Sequence, residues 1–220
     1  MGKNKLMRYH QIQALQNIID FSHYKPNIQY DYKGEWSSFH FSNQQPIILE
    51  LACGKGDYAL ALAERYPDKN IIGVDIKGER LWHGANKALK SGLTNLMFIR
   101  GYIDHITNMF GDEEVDEIWI TFPDPYLKDR KTEKRLTHPV FLSRFRKIMK
   151  QGGVIHLKTD SPELFAFTLE VIEENKLTLH EVIEDVYALP QIPEILKVQT
   201  YYEKKHLQNG RTIRYLRFSI

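Results

Sequence analysis

Residues 46–76 read PIILELACGKGDYALALAERYPDKNIIGVDI, and this stretch decides the fold class. It starts with a continuous apolar run, passes through a turn with two close glycines, and continues with helical periodicity into a second apolar run. Apolar runs without polar alternation are typical of strands that are buried on both faces of a sheet. The stretch therefore predicts a strand–helix–strand unit of a parallel sheet.

The same alternation continues through the rest of the chain. Further strands are predicted over 95–101, 116–121, 154–160, 177–186 and 212–220. Helices are predicted over 57–66, 78–92, 139–153 and 161–175, with the Gly152–Gly153 pair ending the third and Ser161 and Pro162 beginning the fourth. We predict an α/β, Rossmann-like fold with a mostly parallel seven-stranded sheet, helices on both faces, and an antiparallel strand near the C-terminus.

The first 45 residues do not follow this alternation. They are basic at the tip, where Lys3, Lys5 and Arg8 occur, and aromatic further along. The chain therefore divides into a basic N-terminal arm over 1–45 and one α/β domain over 46–220. No second domain or internal repeat is indicated.

Basic residues are concentrated in three segments, although the net charge is only +2. Residues 1–10 sum to +3, residues 128–150 to +7 and residues 204–220 to +5, so the remaining residues carry −13. Such segregation is typical of a protein that presents a positive surface to a polyanion such as a nucleic acid. Solvated loops and helix faces are the alternative explanation.

Several classes of protein are disfavoured. No apolar run is long enough to cross a bilayer, and the N-terminus lacks the apolar region of a signal peptide, so we expect a cytoplasmic location. Cys53 is the only cysteine, which excludes a disulfide within the chain and a cysteine metal cluster. The histidines show no ligand spacing, and we predict no metal.

The turn after the first strand carries the first candidate site. Gly54 and Gly56 allow a ligand to approach the backbone at the carboxyl ends of the strands. Glu50 and Asp57 put negative charge there, which disfavours the pyrophosphate of a dinucleotide and suits a cation such as S-adenosylmethionine. Asp75 ends the next strand, where an acid accepts hydrogen bonds from ribose hydroxyls. A tight turn without a ligand is the alternative.

A second candidate site follows the strand that begins near residue 116. In TFPDPYLK, residues 121–128, two prolines hold Asp124 rigidly at the carboxyl edge of the sheet. By itself this motif is more typical of a proline-bounded turn with a surface aspartate. A basic run follows directly, and we predict that it contacts a nucleic-acid backbone through Lys128, Arg130, Lys131, Lys134 and Arg135.

Four motifs together identify a resemblance. ELxxGKG at 50–56, TFPDPYxKxR at 121–130, KTD at 158–160 and TYYE at 200–203 resemble the bacterial tRNA (guanine-N7)-methyltransferase family, whose basic N-terminal arm is similar to GKNKLMRY here. The resemblance implies a class I S-adenosylmethionine-dependent methyltransferase fold. It also implies methyl transfer to N7 of the variable-loop guanine at tRNA position 46, forming 7-methylguanosine.

The resemblance also assigns roles to residues. It implies a catalytic role for Asp124, and cofactor contacts by Glu50, Gly54, Gly56, Asp75, Tyr102 and Asp124. It implies substrate contacts by Lys128, Asp160, Thr200, Tyr201, Tyr202 and Glu203. With the arm, Lys3, Lys5 and Arg8 join the predicted backbone contacts. The chain departs from the family pattern at Ala52, Tyr102, Thr121, Tyr126, Leu127 and Lys131.

The chemistry needs little from the protein beyond positioning and charge. N7 of guanine carries no proton, so no general base is required. A carboxylate can accept hydrogen bonds from the guanine N1–H and N2–H₂ groups, and these strengthen as the purine becomes cationic. Asp124 and Asp160 are both candidates for this role.

Three other functions are compatible with parts of the sequence. A methyltransferase with a small-molecule or protein acceptor leaves the basic segments unexplained. A noncatalytic tRNA-binding subunit does not need the intact acidic residues of the cofactor motifs. A nicotinamide dehydrogenase is disfavoured by the acidic glycine turn. The partner is expected to be tRNA, and the enzyme a monomer or homodimer.

Overall fold

A computed structural model describes residues 11–23 and 30–220, apart from the side chain of Asp129. The predicted basic tip of the arm, with Lys3, Lys5 and Arg8, lies outside the described residues. Within them, no helix combines the length and the apolar character needed to cross a membrane.

The described residues form one eight-stranded sheet. Its strands are β1 (Ile18–Asp20), β2 (Ile47–Leu51), β3 (Asn70–Asp75), β4 (Leu96–Arg100), β5 (Val115–Thr121), β6 (Met149–Thr159), β7 (Thr178–Ile183) and β8 (Arg214–Ser219). They lie in the order β1-β4-β3-β2-β5-β6-β8-β7. The first six pair in parallel, and β8 is antiparallel to both β6 and β7. The seven predicted strands and the antiparallel C-terminal strand are confirmed, and β1 is an additional edge strand.

Over residues 11–23 and 30–220, six α-helices connect or flank these strands: α1 (Asp57–Arg65), α2 (Gly78–Lys90), α3 (Ile106–Met109), α4 (Pro139–Ile148), α5 (Pro162–Glu174) and α6 (Tyr201–Gln208). The predicted start of α5 is confirmed, since the Leu164 N–H donates to Ser161 Oγ at 3.1 Å and Pro162 is the first helical residue. Helices α3 and α6 were not predicted.

One predicted helix is too long. The prediction continued the helix to Gly153, but α4 ends at Ile148 and β6 begins at Met149. Met149 pairs with Val115 of β5, so the chain is already part of the sheet there. A Cβ on Gly153 would lie 2.9 Å from the Asp116 carbonyl oxygen, so this glycine allows two strands to approach closely rather than ending a helix.

Apolar side chains cover both faces of the sheet, as its continuous apolar strands predict. The described part of the arm packs onto the same core. Phe21 and Trp36 are buried, and Trp36 Nε1 donates to the Met109 carbonyl at 2.8 Å. Strands β2 to β6 end side by side, and this carboxyl edge positions the site described next.

Candidate active site

A cavity of about 440 Å³ opens at the carboxyl edge of the sheet. This volume is within the range of small-molecule sites. The turn after β2, the end of β3 and the loop after β4 form one side, and the turn after β5 forms the other. The lining includes Ala52, Asp75, Tyr102, Asp124 and Tyr126.

The glycine turn, residues 52–57, has a backbone that few other residues adopt. Gly54 and Gly56 have φ of +57° and +71°. A Cβ on Gly56 would lie 2.6 Å from the Phe98 ring, whereas one on Gly54 would meet nothing within 4 Å. Gly56 is therefore required for packing, while Gly54 leaves open space beside the backbone. Gly84 of α2 was not predicted as a site residue. A Cβ on Gly84 would lie 2.6 Å from the Lys55 carbonyl oxygen, so this glycine allows α2 to pack closely against the glycine turn.

Asp75 connects the glycine turn to the cavity. Its Oδ2 accepts a hydrogen bond from the Gly54 N–H at 2.9 Å, and its Oδ1 accepts one from the Lys77 N–H at 2.7 Å. The side chain is mostly buried and lines the cavity. Asp75 therefore fixes the turn and presents an acidic group to a ligand.

Glu50 supports the same turn from the interior. It is 1% exposed, its Oε2 accepts the Ala59 N–H at 2.8 Å, and its Oε1 accepts the Thr121 hydroxyl at 2.6 Å. The pKa of Glu50 is raised to about 8, mainly by burial. The charges of Asp57 and Asp75 add to this rise, and the two hydrogen bonds act against it. Both oxygens thus already have a donor from the chain, and the carboxyl group joins three elements beneath the turn.

The Asp124 turn, residues 122–126, is strained on both sides of its prolines. Phe122 has φ of +50° and Tyr126 has φ of +42°, values that non-glycine residues rarely adopt. The Tyr126 N–H donates to Asp124 Oδ1 at 3.1 Å. Asp124 itself is exposed and lines two cavities, the one above and a second of about 690 Å³. Such strain is typical of a functional site.

Arg135 has a different environment from the predicted one. It was expected to contact a nucleic-acid backbone, but it is 7% exposed. Its guanidinium donates to the carbonyls of Pro125 at 3.0 Å and Tyr126 at 3.2 Å, and it lies 4.4 Å from the Phe167 ring centroid. Arg135 therefore supports the Asp124 turn. The other cations of this segment are exposed, namely Lys128, Arg130, Lys131 and Lys134.

Because Arg135 is buried and Lys131 is exposed, substitutions at the two positions should have different effects. Arg135→Met should lower the free energy of unfolding by about 2 kcal/mol, because two partly buried carbonyls of the Asp124 turn lose a charged donor. Lys131→Met should leave stability unchanged and reduce the salt dependence of nucleic-acid binding by about one unit of slope, as is expected for loss of the predicted phosphate contact. Thermal unfolding and binding titrations at several salt concentrations measure both. A reduced salt slope in Arg135→Met at unchanged stability would contradict the assignment.

The second cavity lies on the far side of Asp124. Its lining includes Arg80, Asp160, Tyr202, His206 and Arg211. Asp160 Oδ2 pairs with Arg211 Nη1 at 2.5 Å and with His206 Nδ1 at 3.2 Å. The predicted Asp124 and Asp160 thus share one cavity, but Asp160 already has cationic partners. Arg80, His206 and Arg211 were not predicted, because they belong to no recognisable motif.

The TYYE motif forms the start of α6 and faces two directions. Thr200 caps the helix by accepting the Glu203 N–H at 3.1 Å. Tyr201 and Tyr202, here called the tyrosine pair, are exposed. Lys55 Nζ lies 4.0 Å from the Tyr201 ring centroid, and the Arg80 guanidinium lies 5.4 Å from that of Tyr202. The tyrosine pair therefore stands between the glycine turn and the second cavity.

Thr200 and Glu203 point inward instead. Thr200 is 9% exposed and Glu203 is completely buried. Glu203 Oε1 pairs with Lys158 Nζ at 2.7 Å. The structure therefore gives only the tyrosine pair the exposure that substrate contact needs, which differs from the prediction for all four residues. Lys158 was missed as a site residue, although a lysine within an apolar strand is a signal that it has a partner.

Tyr102, the remaining predicted cofactor residue, follows β4 and is 51% exposed at the rim of the first cavity. Within the described part of the chain, no three histidine, cysteine, aspartate or glutamate side chains come together as a potential metal site.

Comparison with known proteins identifies the family. Residues 44–216 match the model of a family described as "Putative methyltransferase". The tRNA (guanine-N(7)-)-methyltransferase of Christiangramia forsetii is 45% identical, with 100% of this chain and 99% of that protein covered. This chain belongs to the tRNA (guanine-N7)-methyltransferase family. The enzyme of the same name from Bacteroides thetaiotaomicron is 42% identical, with 100% and 87% covered.

Solved structures support the fold. The 16S rRNA methyltransferase KamB aligns with a TM-score of 0.66 at 15% identity, covering 87% of this chain and 94% of that one. A SAM-dependent methyltransferase from Aquifex aeolicus aligns with a TM-score of 0.56 at 16% identity, covering 82% and 85%. At this level of identity the likeness concerns the fold, which is that of the Rossmann-like methyltransferases.

Proposed function

We propose that this protein transfers the methyl group of S-adenosylmethionine to N7 of a guanine in tRNA, forming 7-methylguanosine. The observation that carries the proposal, within a member of this family, is the position of Asp124. Its carboxylate is held on a rigid turn and faces both cavities. One cavity can then hold the methyl donor and the other the acceptor base.

The first cavity fits S-adenosylmethionine. Ala52 of the glycine turn lines it, and Asp75 offers carboxylate oxygens where ribose hydroxyls require acceptors. Ile76 and Ile103 add apolar lining for a purine, and Tyr102 lies at the rim. The acidic groups suit a cation, and none of these features suits a pyrophosphate. When bound, S-adenosylmethionine supplies an electrophilic methyl group.

Asp124 is the better candidate for the guanine edge. Asp160 is paired with Arg211 and His206, so its negative charge is already compensated. The only hydrogen bond found for Asp124 among the described residues comes from the Tyr126 N–H. Asp124 can therefore accept hydrogen bonds from the guanine N1–H and N2–H₂ groups. These strengthen as positive charge develops on the purine, so the gain is realised in the transition state.

The exposed cations and tyrosines suit the RNA. Lys128, Arg130, Lys131 and Lys134 follow the Asp124 turn directly and can contact phosphates. The tyrosine pair offers ring faces on which an unstacked base can lie. Lys3, Lys5 and Arg8 remain predicted backbone contacts. As in the family, we place the acceptor guanine in the variable loop.

Incubation of the protein with labelled S-adenosylmethionine and unmodified tRNA, followed by nucleoside analysis, tests the proposal. We expect 7-methylguanosine as the labelled product. A tRNA in which adenine replaces the variable-loop guanine is the matched control and should remain unlabelled. Cofactor binding without any methylated nucleoside would contradict the proposal and favour another acceptor or a noncatalytic tRNA-binding role.

A further inference from the structure

Lys158 is a charged residue in the interior of the sheet. It lies in β6 and is completely buried, between Leu157 and Thr159, which are equally buried. An isolated buried ammonium group is strongly unfavourable, so its partners explain why it is tolerated. Its Nζ donates to the carbonyls of Leu196 at 2.8 Å and Val198 at 3.1 Å and pairs with Glu203 Oε1 at 2.7 Å.

These contacts reach one wall of the second cavity. Leu196 and Val198 belong to the segment that leads into α6, and Glu203 is the third residue of that helix. The Tyr187 hydroxyl donates to the same Glu203 oxygen at 2.9 Å. Burial raises the pKa of Glu203, and the charge of Lys158 acts against this rise. Glu203 therefore fixes α6 to the sheet, with the tyrosine pair on the exposed side.

The backbone of Lys158 reaches the opposite wall. Its carbonyl oxygen accepts a hydrogen bond from the Phe122 N–H at 2.8 Å. Phe122 is the first residue of the Asp124 turn and has φ of +50°. One residue thus connects the Asp124 turn, through its main chain, with the tyrosine pair, through its side chain.

We propose that Lys158 and Glu203 are positioning residues that set the separation between Asp124 and the tyrosine pair, and so orient the target base without touching it. This inference rests on the proposed function, since it assigns the second cavity to the acceptor guanine. A base that is misplaced by about 1 Å can lose on the order of 100-fold in rate. The buried pair therefore acts on turnover through the geometry of the cavity.

If Lys158 and Glu203 only stabilised the fold, a variant that folds without them should keep the turnover of the wild type. Replacing a buried ion pair with apolar residues of similar volume is often neutral or stabilising. The double variant Lys158→Met/Glu203→Leu should therefore fold. It removes the donor to Leu196 and Val198, so the segment before α6 loses its fixed position even though the interior remains filled.

We expect this double variant to fold and to bind S-adenosylmethionine within about twofold, with a melting temperature several degrees below that of the wild type because the carbonyls of Leu196 and Val198 lose their donor. Its kcat for tRNA methylation should fall at least about 10-fold, with a smaller change in KM, because orientation rather than affinity is lost. A folded double variant with the kcat of the wild type would overturn the proposal. If the double variant does not fold, Glu203→Gln retains the side-chain shape, and wild-type kcat in that variant would overturn it equally.

A second lysine–glutamate pair in the same segment provides the matched control. Lys197 and Glu194 form an ion pair at the surface, with side chains that are 50% and 59% exposed. Lys197→Met should leave kcat within about twofold of the wild type, since exposed pairs contribute little. A loss equal to that of the double variant would show that any change in this segment lowers turnover, and would overturn the specific role of Lys158.

Hydrogen exchange separates this inference from the proposed function. The double variant should exchange backbone amides over residues 199–208 faster than the wild type, with unchanged exchange in the glycine turn. If the wild type forms no 7-methylguanosine, the proposed function fails, while faster exchange still supports the positioning of α6. Unchanged exchange over 199–208 would overturn the positioning role in either case.

Discussion

Asp124→Asn is expected to lower the rate of methyl transfer to tRNA by at least about 100-fold, the usual effect of removing one preorganised group that stabilises developing charge. The amide oxygen can still accept the Tyr126 N–H, which is bound at 3.1 Å in the wild type. The side chain is exposed, so the free energy of unfolding should change by less than about 0.5 kcal/mol. The loss is therefore one of charge at the base, and not one of structure.

Single-turnover rates with saturating enzyme and cofactor measure this effect. Asp160→Asn is the matched control, and we expect a smaller loss of rate, because the Asp160 charge is shared with Arg211 and His206. Cofactor affinity should change less than the rate in both variants. A larger defect in Asp160→Asn, with near-normal turnover in Asp124→Asn, would reverse the assignment of the guanine-binding carboxylate.

The sheet, and the edge of it at which the candidate site lies, were predictable from local sequence. β2 and β3 are buried along their whole length, and such strands show as uninterrupted apolar runs. The rigid turn around Asp124 was equally predictable from the sequence, because two prolines next to an aspartate restrict the backbone whatever the tertiary context. Parallel strands then bring the residues at their carboxyl ends together.

The direction in which the charged residues point was not predictable. Arg135 and Lys131 are four residues apart in one basic run, yet one is buried and the other exposed. Glu203 turns inward because Lys158, 45 residues earlier, is buried opposite it. Such long-range pairs leave no periodic signal. Strand β1 was missed for a similar reason, since three residues that pair with β4 are too few to show a pattern.

Glu50→Gln is expected to stabilise the protein above pH 5 while weakening cofactor binding. The pKa of Glu50 is about 8 in the folded protein and 4.5 when unperturbed. As the pH rises above 4.5, the unfolded state ionises and the folded state does not, so the wild type loses stability until about pH 8. By pH 6 this loss is on the order of 2 kcal/mol. Glutamine does not titrate and avoids it.

A bound cation favours ionised Glu50, so cofactor binding should release a proton from it. The affinity of the wild type for S-adenosylmethionine should therefore increase from pH 6 to pH 9 relative to that of Glu50→Gln. Calorimetric binding at each pH measures this difference, and comparison of the two proteins cancels the titration of the ligand itself. A constant ratio of affinities across this range would show that Glu50 does not respond to the cofactor's charge.

Glu117→Gln is the matched control, because the pKa of Glu117 is shifted in the opposite direction. Burial acts to raise it, but the contact with His156 Nε2 at 3.2 Å, the hydrogen bond from the Trp119 indole N–H and the charge of Lys69 together outweigh burial and lower it. A lowered pKa contributes stability above the unperturbed value, and this is lost as the pH falls through the folded-state pKa. Glu117→Gln should therefore be less stable than the wild type at pH 7 and Glu50→Gln more stable.

Thermal unfolding at pH 5 and pH 8 distinguishes the two variants. An equal difference in stability between Glu50→Gln and the wild type at both pH values would contradict a buried, protonated Glu50. Burial acts to raise the pKa of both carboxyl groups, and only Glu117 has neighbours, His156 and Lys69, that outweigh it, whereas the nearby charges at Glu50 are acidic.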